Sequence, residues 1–311
     1  MPKRPPSCRR EKCCGGFLRT VLQQAEHPVA AEPPRLAQSP CSMTAGMSHD
    51  VPKNAVPPGA CLIRGGQVIT VRRSEIADLA RQPSPAGAPT LPPRFLRHAD
   101  EQTVVGVRAV LQTLAETASD ATDLAYDAVI AASCRAGQPT AARTMVALKQ
   151  QGPVGVTPHV VPQCSLHSPA SAVSVGLGMH GPTIGVAGGP AAIAEGLLAA
   201  STLAMSLAAT QPAAAIWLVV TGWDTTPVLD DEATPTTDPT CRGFALRLQP
   251  LTTSGPLPES AVLRIEPCNM RESADRPAAD PPLWEFCERL TQGRATSIRL
   301  RTGTDRRAGA G

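Results

Sequence analysis

Between Pro190 and Ala209 the chain carries a single charged residue, Glu195, and its apolar residues are spread around every side of a helix rather than gathered in one stripe. A helix of that kind belongs in an interior, so the rest of the chain, or a partner, has to cover it. It is preceded by a short apolar strand that runs through glycines into the helix start, GPTIGVAGGP at 181–190. That is the outline of a nucleophile elbow. Where such a turn carries chemistry, a Cys or Ser stands at the helix start, because the unsatisfied N–H groups and the helix dipole stabilise a thiolate or an oxyanion. Here the positions are Gly188, Gly189, Pro190, Ala191 and Ala192, none of which can attack, donate or accept through its side chain.

The core available to cover this helix is built from small residues. Aromatic residues make up only 3% of the 311, which suits small-residue helices packed on a parallel sheet and predicts the α/β class. The 33 prolines and 25 glycines imply that part of the chain stays unfolded. Residues 1–58, rich in Pro, Arg, Cys and Ser, are expected to form a disordered leader, with Met43 and Met47 as alternative starts to Met1. The net charge of +3 lies in the ends: residues 1–20 and 292–311 together carry +9, leaving −6 for 21–291. A mildly acidic middle argues against a nucleic-acid-binding core. The ten cysteines are scattered and no secretory apolar segment precedes them, which predicts a reduced, cytoplasmic protein. No apolar run is expected to cross a bilayer.

Along the chain, 61–71 reads as a strand or a tight hairpin around Gly65 and Gly66, followed by a Pro-rich loop at 83–93. Apolar residues at Val104, Val107, Val110, Leu111 and Leu114 predict an amphipathic helix over 100–118. A strand is expected at 126–133 and a helix at 139–151, with proline in its first turn and Gly152 at its end. A small-residue helix (168–178), a strand (183–187), the long helix (190–210) and a strand (215–221) follow. An acidic loop (227–239), two strands (243–248 and 261–265), a linker and a last helix at 282–290 complete the reading. Alternation of strand and helix with short Gly-rich turns gives βαβ units.

Taken together, residues 126–226 resemble the N-terminal half of β-ketoacyl synthases, members of the thiolase superfamily. The matching pieces are YDAVI from Tyr126, the Thr157-Pro158 turn, GMHGP at 178–182, the elbow and its helix, and VVTGWD at 219–224. The likeness extends more weakly over about 60–265. In that family the position that falls on Pro190 holds the acyl-carrying cysteine, and the catalytic histidines and lysine follow it. All six histidines here (27, 49, 98, 159, 167 and 180) and all four lysines (3, 12, 53 and 149) precede Pro190. The resemblance therefore implies a thiolase-like half, a βαβαβ-type mixed sheet with a buried central helix, from which the chemistry is missing. It sets the domain at 59–270, with linker, short helix and basic tail at 271–311. It implies no catalytic residue and no cofactor or metal.

Other candidate sites each have a plain structural counterpart. Gly176, Gly178 and Gly181 spell GxGxxG, but the dinucleotide fingerprint needs a strand before it and a helix after it, the reverse of this order. The turn at 185–189 offers backbone N–H groups for a phosphate, with Asp224 as a ribose partner, while close helix-on-sheet packing accounts equally for its glycines. Cys134, beside Arg135, is the one substitute nucleophile to consider, against the common buried structural cysteine. Cys164 and His167 have the spacing of a ligand pair but lack a second pair, and capping of the helix near Ser168 is the competing role. Trp217 and Trp223 either line an acyl tunnel or fill the core, and His180 faces a pocket or sits in a loop. There is no Gly-x-Ser-x-Gly elbow.

The expectation is a catalytically degenerate ketosynthase-like subunit. It pairs with itself or with an active ketosynthase in fatty acid or polyketide assembly, with an acyl-carrier protein as a further partner. The alternatives are an acyltransferase whose site is completed by another chain and a nucleotide-binding α/β module.

Overall fold

A computed structural model describes residues 59–117, 124–186, 189, 191–232, 234–251, 262–267 and 297–300. The strands are β1 (Cys61–Arg72), β2 (Ala128–Ser133), β3 (Thr183–Val186), β4 (Ile216–Trp223), β5 (Thr240–Pro250), β6 (Val262–Pro267) and β7 (Ser297–Leu300). The helices are α1 (Ile76–Arg81), α2 (Glu101–Glu116), α3 (Gln138–Gln151), α4 (Val160–Gln163), α5 (Ser168–Leu177) and α6 (Ala192–Thr210). The expected leader 1–58, the helix at 282–290, and Ala187, Gly188 and Pro190 lie outside the described residues.

One mixed sheet organises the chain, in the order β3-β2-β4-β5-β1-β6-β7. β2 runs parallel to both β3 and β4, and β5 runs antiparallel to β4 and to β1. β2 and β4 are uncharged and buried on both faces, which is why each reads as a continuous apolar run. Strand alternation then divides the core in two. Ile130, Ala132, Ile216, Leu218 and Val220 face α6, whereas Val129, Ala131, Trp217 and Val219 face α2 and α5. The α/β class expected from the sequence is the class observed.

Of the two forms expected for 61–71, the strand is the one observed: residues 61–72 pair with β5 along their length, and a register shift between Ile63 and Gly65 absorbs the irregularity. One local expectation is corrected. The helix α2 is not amphipathic in its surroundings: Gln102 to Leu111 are buried without a break, because α1 and the segment after it cover its outer side. Arg108 fastens that cover by donating to the carbonyl oxygens of Pro83 (2.8 Å) and Gln82. Ser297–Leu300 form β7, parallel to β6. The helix α6 is buried on its sheet side and exposed on the other, the exposure expected of a lone half.

The inner side of α6 carries Ile193, Leu197, Ala200, Ala204 and Leu207, all buried against β2, β4 and β5. A Cβ added to Gly196 would stand 2.6 Å from the Ala132 Cβ and 3.0 Å from the Leu218 Cδ1, so helix and sheet meet at that glycine. The outer side exposes Glu195, Leu198, Thr202, Met205 and Ala209 at helical spacing, with Leu198 45% and Met205 53% accessible. The helix is 19 residues long with a mean hydropathy of 1.6 over its most apolar window, long and apolar enough by length and composition to cross a membrane, although Glu195 interrupts the apolar run. Its packing against β2, β3, β4, β5 and β6 is that of a core helix, with no second layer on its outer side among the described residues.

Candidate functional site at the ends of the parallel strands

Because β2, β3 and β4 are parallel, their carboxyl ends come together beside the amino ends of α2 and α6, the position where open α/β sheets carry their ligands. The side chains there form a closed polar brace. Ser133 Oγ lies 2.7 Å from Thr221 Oγ1, which donates to Gln102 Oε1 at 2.9 Å, while Gln102 Nε2 donates to the carbonyl oxygens of Cys134 (3.0 Å) and Arg135 (3.3 Å). Ser133, Thr221 and Gln102 are all buried. Both hydroxyls have hydrogen-bonding partners and no base bonds to them among the described residues, so the brace joins α2 to β2 and β4. The sequence reading missed these three residues; the available signal was a polar group at the end of each otherwise apolar strand.

Two neighbouring carboxylates at the start of α2 are pushed in opposite directions. Asp100 caps the helix, its Oδ1 accepting from the backbone N–H groups of Gln102 (2.9 Å) and Thr103 (3.1 Å) and its Oδ2 from Thr103 Oγ1 (2.6 Å). Burial raises its pKa, against the lowering effect of those hydrogen bonds. Glu101 is partly buried, which alone would raise it, but Arg143 and then Arg73 hold its carboxyl below the usual range. Arg143 reaches both Glu101 oxygens, at 3.0 and 3.2 Å, and Arg73 reaches one at 3.1 Å.

The residues singled out from the sequence separate clearly. Pro190 lies outside the described residues. Cys134 directly follows β2, its N–H donating to Thr221 O (3.0 Å), but Arg135 turns its guanidinium to Thr226 Oγ1 (2.6 Å), and no acid or base hydrogen-bonds the thiol among the described residues. Cys164 Sγ contacts Gly137 O (3.6 Å), and its pKa is raised by burial and by Asp100, opposed by Arg143, which works against a thiolate. His167 stands at the cap of α5 without a side-chain cap bond, so the expected capping role is corrected; no group of three or more potential metal ligands occurs among the described residues.

Gly185 lies within β3, where a Cβ would stand 2.8 Å from the backbone of His167, so close packing against the segment before α5 accounts for that glycine. Asp224 Oδ1 accepts from the N–H groups of Thr225 (2.6 Å) and Thr240 (2.9 Å), tying β4 to β5. In the GxGxxG segment, Gly178 closes α5 with φ +67° and β3 follows, the order opposite to a dinucleotide fold. Trp217 is fully buried with its indole N–H bonded to Asp127, while Trp223 is partly exposed and packs against the α2 side of the core. His180 is exposed, its backbone N–H donating to Ala125 O (2.7 Å).

No protein-family model and no curated protein matches the chain. Among solved structures it is similar to a ketosynthase in complex with its chain length factor from Xenorhabdus doucetiae, at 17% identity over 62% of this chain and 80% of that one, TM-score 0.41. A beta-ketoacyl synthase from Burkholderia phymatum STM815 is similar at 15% identity over 62% of this chain, TM-score 0.39. The ishigamide ketosynthase/chain length factor is similar at 15% identity over 62%, TM-score 0.36. The match spans 59% and 58% of the length of the last two chains.

Proposed function

We propose that the chain is a catalytically degenerate β-ketoacyl synthase-like subunit. It associates with a second thiolase-type half, its own copy or an active ketosynthase, in fatty acid or polyketide assembly. The observation that carries this reading is the outer face of α6. Leu198, Met205 and Ala209 stand exposed on a helix whose opposite face is packed into the core, and in the resembled family a second half covers that face. The chemistry agrees with a partner rather than a catalyst. Pro190 occupies the acyl-carrying position of the resemblance, every histidine and lysine precedes it, and the polar groups at the strand ends bond to one another. Such a subunit contributes surface and cavity, not bonds.

The test is loading with a mass-tagged acyl thioester of an acyl-carrier protein, read by intact-mass spectrometry. The unmodified chain is the expected product. An acyl adduct on Cys134 or Cys164 would replace this reading with that of an acyltransferase.

A further inference from the structure

A cavity of about 1170 Å³ lies away from the strand ends, between α1, the segment 82–97 and the first turns of α2. Six arginines line it, Arg73, Arg81, Arg94, Arg97, Arg108 and Arg143, against the single carboxylate of Glu101. Glu101 is shared by Arg73 and Arg143, and Arg81 pairs with Asp78 at the surface. Arg94 and Arg97 have no side-chain ion pair or hydrogen bond among the described residues, and Arg94 is held at φ 61°, a backbone strain that is common at ligand sites.

Arg108 points most directly to a ligand. It is only 5% exposed, its partners are neutral carbonyl oxygens, and its Nε has no hydrogen-bond acceptor among the described residues. Arg73 Nε in the same wall is also buried without an acceptor. A buried guanidinium without a carboxylate is costly unless an anion joins it. The remaining wall is apolar, with Ile76, Leu91, Phe95 and Val104 facing the same space.

We infer that this cavity binds an organic diphosphate, its charged end among Arg94, Arg97 and Arg108 and its body against Ile76, Leu91 and Phe95. Guanidinium forks match phosphate oxygens in geometry, and several of them around one ligand suit a multiply charged group better than a single carboxylate. The volume exceeds what an inorganic ion fills and is large enough to take a whole small molecule. The inference is independent of the proposed partner role, because it uses no residue of the strand ends or of the α6 face.

Calorimetric titration of the full chain separates the sources of such a ligand. The probes are inorganic pyrophosphate, ADP and geranyl diphosphate, with sulfate at matched ionic strength as the control. The expected result is single-site binding of ADP or geranyl diphosphate about tenfold or more tighter than pyrophosphate, the preferred one naming a nucleoside or a lipid body. The exposed double variant Arg94→Ala/Arg97→Ala, with an unchanged circular dichroism spectrum, should weaken that binding by about tenfold or more. Binding no tighter than sulfate, an organic diphosphate bound no better than pyrophosphate, or a double variant that binds like the parent would each overturn the inference.

Discussion

The indole Nε1 of Trp217 donates to Asp127 Oδ2 across 2.9 Å, inside the core and at the base of two parallel strands. The other oxygen of Asp127 accepts from the N–H of Ala215 at 2.8 Å, so one carboxylate fixes where β2 and β4 begin relative to each other. Arg247 on β5 completes the group, its Nη2 3.8 Å from Asp127 Oδ2 and its guanidinium carbon 5.6 Å from the Trp217 ring centre.

Replacing Asp127 with alanine removes the acceptor from Trp217 and Ala215 and this carboxylate from Arg247. The expected loss is about 3–5 kcal/mol, the range for breaking a buried charge pair from one side. Asp127→Asn, which keeps an acceptor oxygen, should lose less. Urea denaturation followed by tryptophan fluorescence checks both; an alanine variant as stable as the parent would show that the network carries no stability.

A second test addresses the contact between α6 and the sheet. Alanine at Gly196 places a methyl 2.6 Å from the Ala132 Cβ, too close for either backbone to hold its position. The helix must move off β2 and β4, and the cost should be about 1–3 kcal/mol, more than alanine's better helix propensity returns. Thermal unfolding of Gly196→Ala measures it, and a raised melting temperature would mean that the helix is not seated as described.

What was legible in the sequence follows from which forces are local. β2 and β4 announce themselves because a strand buried on both faces needs no polar residue for its whole length. Pro139 and Gly152 mark α3 because their backbone preferences act within one turn. The cover over α2 was not legible: Arg108 looks like a solvent-facing residue until Gln82 and Pro83, far away in sequence, supply its acceptors. Gly65 and Gly66 look like a turn because the residues that pair with them, Arg247 and Leu246, lie in a strand formed much later in the chain. At the strand ends, the brace of Gln102, Ser133 and Thr221 was not legible because it required three segments to meet.

Asp100 and Glu101 should give opposite pH signatures. Glu101 has a lowered pKa in the fold, so its contribution is present above its unfolded pKa and is lost as the pH falls through the folded one. Glu101→Gln should therefore cost about 1–3 kcal/mol at neutral pH, with the gap to the parent closing on acidification below the usual carboxylate range. Asp100 has a raised pKa, so its contribution is largest when protonated and is lost as the pH rises through the folded value. Asp100→Asn, which keeps the cap, should match or exceed the parent at neutral pH, while Asp100→Ala should lose about 1 kcal/mol. Denaturation midpoints across an acid-to-neutral series distinguish these signs, and parallel curves for all four proteins would contradict them.

The outer face of α6 supplies the last prediction. Leu198 and Met205 lie two turns apart on the exposed side, with Thr202 between them; Gly59 approaches Met205 from one side, yet both side chains stay about half accessible while Leu197 and Ala204 are buried below. If that face is a subunit contact, Leu198→Glu/Met205→Glu places two carboxylates in a desolvated surface and association fails, while the isolated fold loses little because both positions already face solvent. Sedimentation velocity at micromolar concentration should show a dimer for the parent and a monomer for the double variant, with similar unfolding curves extrapolated to low concentration. A parent that sediments as a monomer would restrict the contact to a different chain, and co-purification with an intact ketosynthase, abolished by the same two substitutions, would identify that chain. A parent that neither dimerises nor captures a ketosynthase would leave the greasy face without the partner this reading requires.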